Sequence, residues 1–225
     1  MQTEFNDIRI FFTKTGMTKY ISHLDLMRCM SRAIKRAEIP LWYTEGFNPH
    51  LFMTFARPLS LGQESLCECV DVRLIEEMTF KEVKNRLDAA LPPGITIVSV
   101  GKPVHKATEI AFADYEITLS PENPQELKKC ILGHYEEPKI LVMKKAKQGR
   151  RKIEKEVDLK PCIFSFKLEE QDTDLFLKLR LTAGYDNNIN PSLLLSALEE
   201  GYAEEYVPTK ILKKRILLEN GENFE

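Results

Sequence analysis

The chain has 225 residues, 43% of them hydrophobic and 29% charged, the balance of a folded globular protein, which excludes a disordered or collagen-like polymer. Its 32 Lys and Arg stand against 34 Asp and Glu, a formal net charge of −2, so no global field draws it to nucleic acid or to an anionic bilayer, and any electrostatic binding has to be local. No apolar run approaches the roughly 20 residues that span a bilayer, Met1-Gln2-Thr3-Glu4-Phe5 lacks the basic and apolar regions of a secretion signal, and five scattered cysteines make a poor disulfide framework; the expectation is a cytoplasmic, non-membrane protein with reduced thiols.

Ile8-Arg9-Ile10-Phe11-Phe12 is β-rich and bounded by Thr15-Gly16, which predicts a strand. A helix follows, with Ser22 as N-cap, Asp25 three residues on in the capping-box position, and Pro40 as the stop. On its wheel Met27, Met30, Ala33, Ile34 and Ala37 fall together, opposite Arg28, Arg32, Lys35 and Arg36. Strand material at 41–43 and 51–55 is interrupted by the turn-rich passage 44–50. Residues 67–74 alternate as in a sheet covered on one side. Thr79 opens a second helix carrying Phe80, Val83, Leu87 and Leu91, Pro92-Pro93-Gly94 ends it, and 95–100 supplies another strand.

This order, strand, helix, strand, strand, helix, strand, is that of the ferredoxin-like split βαβ unit. Residues 101–112 read as a linker. A second round then begins, with a strand at 115–119, a helix at 124–135, and a hairpin whose arms, 139–145 and 151–157, flank a basic tip. Two strands at 163–168 and 175–181, a helix opened by Pro191, and a closing strand at 210–218 complete it. The fold class expected is α+β: two ferredoxin-like or related α/β-sandwich domains with mainly antiparallel sheets, at 1–103 and 113–225.

Several separate words stand out: Tyr20-Ile21-Ser22-His23-Leu24-Asp25-Leu26, Arg32-Ala33-Ile34-Lys35-Arg36-Ala37, Pro40-Leu41, Glu45-Gly46-Phe47-Asn48-Pro49-His50 and Pro58-Leu59-Ser60-Leu61-Gly62. In that order they resemble the radical-SAM-linked proteins, a bacterial family found alone or attached to a radical SAM protein. The resemblance is close over the first third of the chain and holds in outline beyond it. It implies a radical SAM protein as partner. The Cys-x3-Cys-x2-Cys triplet that holds the iron–sulfur cluster of such an enzyme is absent, so radical chemistry would fall to the partner, and no cofactor is expected in this chain.

Two histidines are candidates for acid–base work, His23 and His50, since neutral imidazole can take a proton near pH 7. The competing reading has Ser22 and Asp25 cap the helix while the histidines brace the loops. Phe47, at the tip of a Gly-Asn-Pro turn, either stacks on a base or plugs the core. Cys67 and Cys69 share a strand face, but no second pair at zinc-finger spacing accompanies them, so no metal site is expected. Lys and Arg concentrate at two places, Arg28, Arg32, Lys35 and Arg36 on the first helix and Lys144, Lys145, Lys147, Arg150, Arg151 and Lys152 in the hairpin; either set is a solvated face or a local phosphate-binding surface.

No Walker loop, Rossmann glycine fingerprint, zinc-protease helix or nucleophile elbow is present. The reading that results is an accessory protein, not an enzyme with its own cofactor, that works with a radical SAM enzyme and binds RNA through these basic residues and Phe47. Its alternatives are a metal-independent RNA-processing nuclease using His23 or His50, and a protein adaptor that touches no nucleic acid.

Overall fold

A computed structural model of the chain describes residues 6–148, 151–185, 187–198 and 208–225, with the backbone alone over 144–148 and 151–155. It divides into two compact units. The first holds the residues up to Glu109 with Leu212–Arg215 and Asn223–Glu225; the second holds Ile110–Ile211 and Ile216–Glu222. Pairing is mostly antiparallel, and four α-helices accompany the strands among the described residues.

The first unit runs β1 (Asn6–Lys14), α1 (His23–Arg36), β2 (Met53–Phe55), β3 (Glu64–Leu74), α2 (Phe80–Ala90) and β4 (Ile95–Gly101). β1 lies antiparallel between β3 and β4, and β2 pairs antiparallel with β3 on its other side, giving the order β4-β1-β3-β2. Because side chains alternate along a strand, the register Ile8↔Val72 and Ile10↔Val70 sets that stretch of one face apolar. That face carries the core, where Leu26, Met30, Ala33 and Ile34 of α1 and Val83 and Leu87 of α2 are buried against it. Each of the larger side chains, all but Ala33, contributes about 1.5–3 kcal/mol of transfer free energy.

The expected apolar stripe of α1 holds at Met30, Ala33, Ile34 and Ala37 and differs only at its start, where Leu26 is buried and Met27 half-buried. Ser22 caps the helix as expected, its hydroxyl accepting from the Asp25 N–H at 3.1 Å. The stop differs. Glu38 adopts a positive φ of 52°, while its N–H bonds the Lys35 carbonyl and the Ile39 N–H that of Ile34. This pair of bonds is a Schellman ending, made two residues before Pro40.

The second unit runs β5 (Ile110–Leu119), α3 (Pro124–Glu136), β6 (Leu141–Gln148), β7 (Arg151–Asp158), β8 (Ile163–Gln171), β9 (Asp174–Thr182), α4 (Pro191–Leu198) and β10 (Pro208–Leu218). Its strand order is β10-β5-β9-β8, and β6 and β7 pair with each other as a separate hairpin. With that hairpin set aside, both units have the element order strand, helix, strand, strand, helix, strand. Numbered within its own unit, each set of four strands runs 4-1-3-2. β5 begins inside the stretch read as a linker, because Ala111 and Ala113 carry little strand propensity and disguise the alternation of Ile110 and Phe112.

β10 serves both units: Leu212 and Lys213 pair in parallel with Glu64 and Ser65 of β3, while the strand neighbours β5 in the second unit. No described helix is long and apolar enough to cross a membrane. All five cysteines are free thiols.

Candidate nucleic-acid interface

The outer side of α1 follows from its burial pattern. With Leu26, Met30, Ala33 and Ile34 turned to the sheet, Arg28, Arg32, Lys35 and Arg36 are all exposed. Arg28 pairs with Asp25 at 3.1 Å, one turn back. Arg36 donates to the Ala90 carbonyl at the end of α2, at 2.5 Å. Arg32 has no polar partner among the described residues. Together Arg28, Arg32 and Arg36, with Asp25, Cys29 and Pro92, line an open groove of about 380 Å³.

The passage between α1 and β2 approaches the same helix. The Lys35 ammonium lies 5.7 Å from the centre of the Tyr43 ring, a cation–π distance. Tyr43 bridges Leu51 across the base of the loop, and the Thr44 N–H bonds the His50 carbonyl at 2.8 Å. Nδ1 of His50 lies 3.1 Å from the Asn48 carbonyl and 3.0 Å from the Thr44 hydroxyl. Both contacts, with the His50 N–H donating to the Thr44 hydroxyl at 3.2 Å, lie within one loop, so His50 is engaged in bracing it. Gly46, with φ +117°, turns the chain at the tip. Phe47 is fully exposed there, which removes the alternative that it plugs the core.

The hairpin is a real element, with Lys144 opposite Lys155, Lys145 opposite Glu154, Lys147 opposite Lys152 and Gln148 opposite Arg151 along its backbone. Arg150 lies outside the described residues, as do the side chains of Lys144, Lys145, Lys147, Arg151 and Lys152. The two catalytic candidates are not brought onto common partners: His50 is held within its own loop, whereas His23 stands edge-on to Phe55 at 5.1 Å.

Beneath His23 lies a group of charges that sequence reading missed. Following the core face along β1 and β3, the pairs Ile8/Val72 and Ile10/Val70 give way to Phe12/Glu68, and the strand then ends in Lys14. Glu68 and Lys14 are both buried, and Lys213 of β10 joins them, its Nζ 2.5 Å from Glu68 Oε1 and 3.2 Å from the Arg57 carbonyl. Lys14 donates to the Ile21 carbonyl at 3.2 Å. One ammonium group thus contacts the enclosed carboxylate, and a second, on Lys14, feels its charge without touching it. Burial pushes the Lys14 pKa down, with Lys213 adding to the effect and Glu68 opposing it.

Burial also lowers the pKa of His23, against the pull of Glu68 and with the push of Lys14, and its buried Nδ1 has no hydrogen-bond partner among the described residues. The ring is neutral at pH 7. Lys14 and Lys213 are enclosed, so neither is presented to an external phosphate in the way a phosphoryl-transfer site requires. A signal for this group did exist, since Glu68 has the same parity as Val70 and Val72 in an alternating run.

Burial pushes the thiol of Cys69 up to about 12, which keeps it protonated and a poor metal ligand. Among the described residues no three His, Cys, Asp or Glu side chains gather around a common point that could hold a metal ion.

A family model described as an uncharacterized protein conserved in bacteria (DUF2344) matches residues 7–191. The chain belongs to this family. The match takes in α1, the Phe47 loop, the hairpin and the start of α4. No curated protein matches the chain in sequence. Among solved structures, a chain of a Cbf5–Nop10–Gar1 complex is similar at a TM-score of 0.50 and 8% identity, over 93% of this chain and 48% of that one. The protein therefore spans about half the length of that neighbour, and the likeness supports a mixed α+β fold. An unknown protein from Galdieria sulphuraria is 12% identical over 91% of this chain and 98% of its own, at a TM-score of 0.27, too low to bear on the fold.

Proposed function

We propose that this protein is an accessory factor that binds RNA through the outer face of α1 and the Phe47 loop, and that it acts beside a radical SAM enzyme. The observation that carries the RNA reading is the row Arg28, Arg32 and Arg36 along one open groove, on a helix whose Lys35 meets the base of a loop tipped by exposed Phe47. Local cationic surface on a protein of net charge −2 is what phosphate contacts require, and an exposed aromatic ring adds a stacking platform. The radical SAM partner rests on the resemblance of the words around His23, Phe47 and Gly62. The basic hairpin is proposed as a second point of contact.

We further read each unit as ferredoxin-like, on the strength of the strand order 4-1-3-2 found twice. The mechanism proposed is positioning of RNA, with bond-making left to the partner. The test is RNA affinity across a salt series. Each lost phosphate contact, as in Arg32→Gln or Arg36→Gln, should lower the slope of log K against log salt by about 0.7 on a single strand to about 0.9 on a duplex. An affinity for RNA that does not respond to salt would remove the RNA reading, and co-purification with a radical SAM protein would then decide whether the adaptor reading stands.

A further inference from the structure

Resting on the RNA-binding reading above, we infer that the groove along α1 takes an unpaired RNA strand, with consecutive phosphates on Arg28, Arg32 and Arg36 and a base stacked on Phe47. An α-helix rises 1.5 Å per residue, so guanidinium groups four residues apart recur about every 6 Å along the axis. That is the stride of neighbouring phosphates along one strand. Four residues also turn the helix by 400°, so each arginine is offset from the last by only about 40°. The row is a shallow spiral that a flexible strand can follow.

The surroundings of α1 disfavour a duplex. A helix that enters a duplex groove has to protrude, whereas α1 buries one side on the sheet and is flanked on another by α2. Arg36 reaches the Ala90 carbonyl, Arg86 of α2 donates to the Glu38 carbonyl at 3.5 Å, and Pro92 walls the groove. The deep, narrow major groove of A-form RNA would not admit such an assembly. A single strand needs only a shallow channel lined on one side by cations.

The two ends of the row differ in charge. At the start of α1 the Asp25 carboxyl is held below the usual carboxylate range by the Ser22 hydroxyl and by Arg28, so it stays ionised and repels a phosphate placed beyond Arg28. Three phosphates are accommodated before that barrier. Beside the row on the same outer face, Lys35 and Tyr43 lead to Phe47, whose ring is free on both faces and whose loop is braced by the Thr44–His50 bonds. A base can use that ring only when it is out of a duplex stack. The arginines supply charge and Phe47 supplies the preference for unpaired bases.

The experiment compares, by fluorescence anisotropy on the full chain, a labelled single-stranded RNA decamer, the blunt duplex of the same sequence, and inorganic polyphosphate and poly-glutamate as competitors. The single strand should bind at least roughly ten-fold more tightly than the duplex, and Phe47→Ala should weaken single-strand binding roughly ten-fold with its salt slope unchanged. Arg32→Gln should instead reduce the single-strand slope by about 0.7. Circular dichroism checks that both surface variants remain folded, and Phe47→Tyr should restore binding. Equal or tighter duplex binding overturns the single-strand inference while leaving the RNA reading in place, as does a Phe47→Ala variant that binds normally. Polyphosphate or poly-glutamate competing as well as RNA, phosphate for phosphate or charge for charge, would mean a site for polyanions or acidic protein, and absence of any salt-sensitive RNA affinity would end both readings.

Discussion

Lys213 Nζ and Glu68 Oε1 lie 2.5 Å apart with 3% of either side chain open to solvent. The pair is closed inside the first unit, and Lys14, also buried, adds a second positive charge that interacts electrostatically with the same carboxylate. Enclosing ions costs several kcal/mol each, which attraction recovers only when the partners stay together. Breaking the pair is therefore far worse than replacing it. Lys213→Met alone should destabilise the chain by about 3–5 kcal/mol, whereas Lys213→Met with Glu68→Leu should cost much less than the sum. Urea denaturation of Lys213→Met, Glu68→Leu and the double variant measures this, and additive losses would show that the two side chains do not act as a pair.

The position of His23 sets a pH dependence. Its ring faces Phe55, with Glu68 and Lys14 the charges that act on it, and burial lowers its pKa below 6.5. The unfolded chain then holds a proton that the folded ring refuses, so stability is full above 6.5 and is lost as pH falls through the lowered value. Asp25, Glu109 and Glu169, the last held down to about 2, have pKa values below the ordinary carboxylate range, so their losses come at more acidic pH. His23→Phe should keep the packing against Phe55 and flatten the urea midpoint just below pH 6.5. An unchanged pH profile in that variant would assign the dependence to another group.

Much of the fold was legible because apolar periodicity and capping agree in this chain. Ser22 and Thr79 cap α1 and α2, and Pro191 opens α4, each where residue chemistry placed it. What local pattern cannot convey is which distant residues share a face. Lys14 and Lys213 look like ordinary solvated lysines because 199 positions separate them, and only the parallel pairing of β10 with β3 brings Lys213 to Glu68. The candidate site divides the same way. The arginine row of α1 follows from a helical wheel, whereas the groove beside it depends on Pro92 returning from α2.

Arg9 joins β1 to the last residues of the chain. Its guanidinium forks onto Asp71 at 2.7 and 2.9 Å, donates to the Glu225 carbonyl at 2.8 Å and lies 4.3 Å from the centre of the Phe224 ring. Phe224 is almost wholly buried by this arrangement. Phe224→Ala should cost about 3–5 kcal/mol, the usual range for emptying a buried phenylalanine site. Phe224→Leu, which refills most of the volume, should cost clearly less. If calorimetry shows less than about 1 kcal/mol for the alanine variant, the ring covers Arg9 without stabilising the unit.

Gly94 and Gly62 both have positive φ, +93° and +81°, yet their surroundings differ. A Cβ on Gly62 would meet nothing within 4 Å, so Gly62→Ala carries only the backbone cost, about 1–2 kcal/mol. A Cβ on Gly94 would sit 2.6 Å from the Thr15 carbonyl oxygen and 2.8 Å from the Thr18 methyl. Those two residues also tie the α2–β4 turn to the turn Gly16–Tyr20 ahead of His23, since the Gly94 carbonyl accepts from the Thr15 N–H at 2.8 Å and from the Thr18 hydroxyl at 3.2 Å. The contact with Thr15 is to backbone, which cannot swing aside as the end of a long side chain can. Gly94→Ala should therefore lower the urea midpoint well beyond Gly62→Ala, and the excess measures how rigidly that turn is held. Equal losses would mean that the turn yields without cost, and the placement of His23 over Glu68 would then have to come from α1 alone.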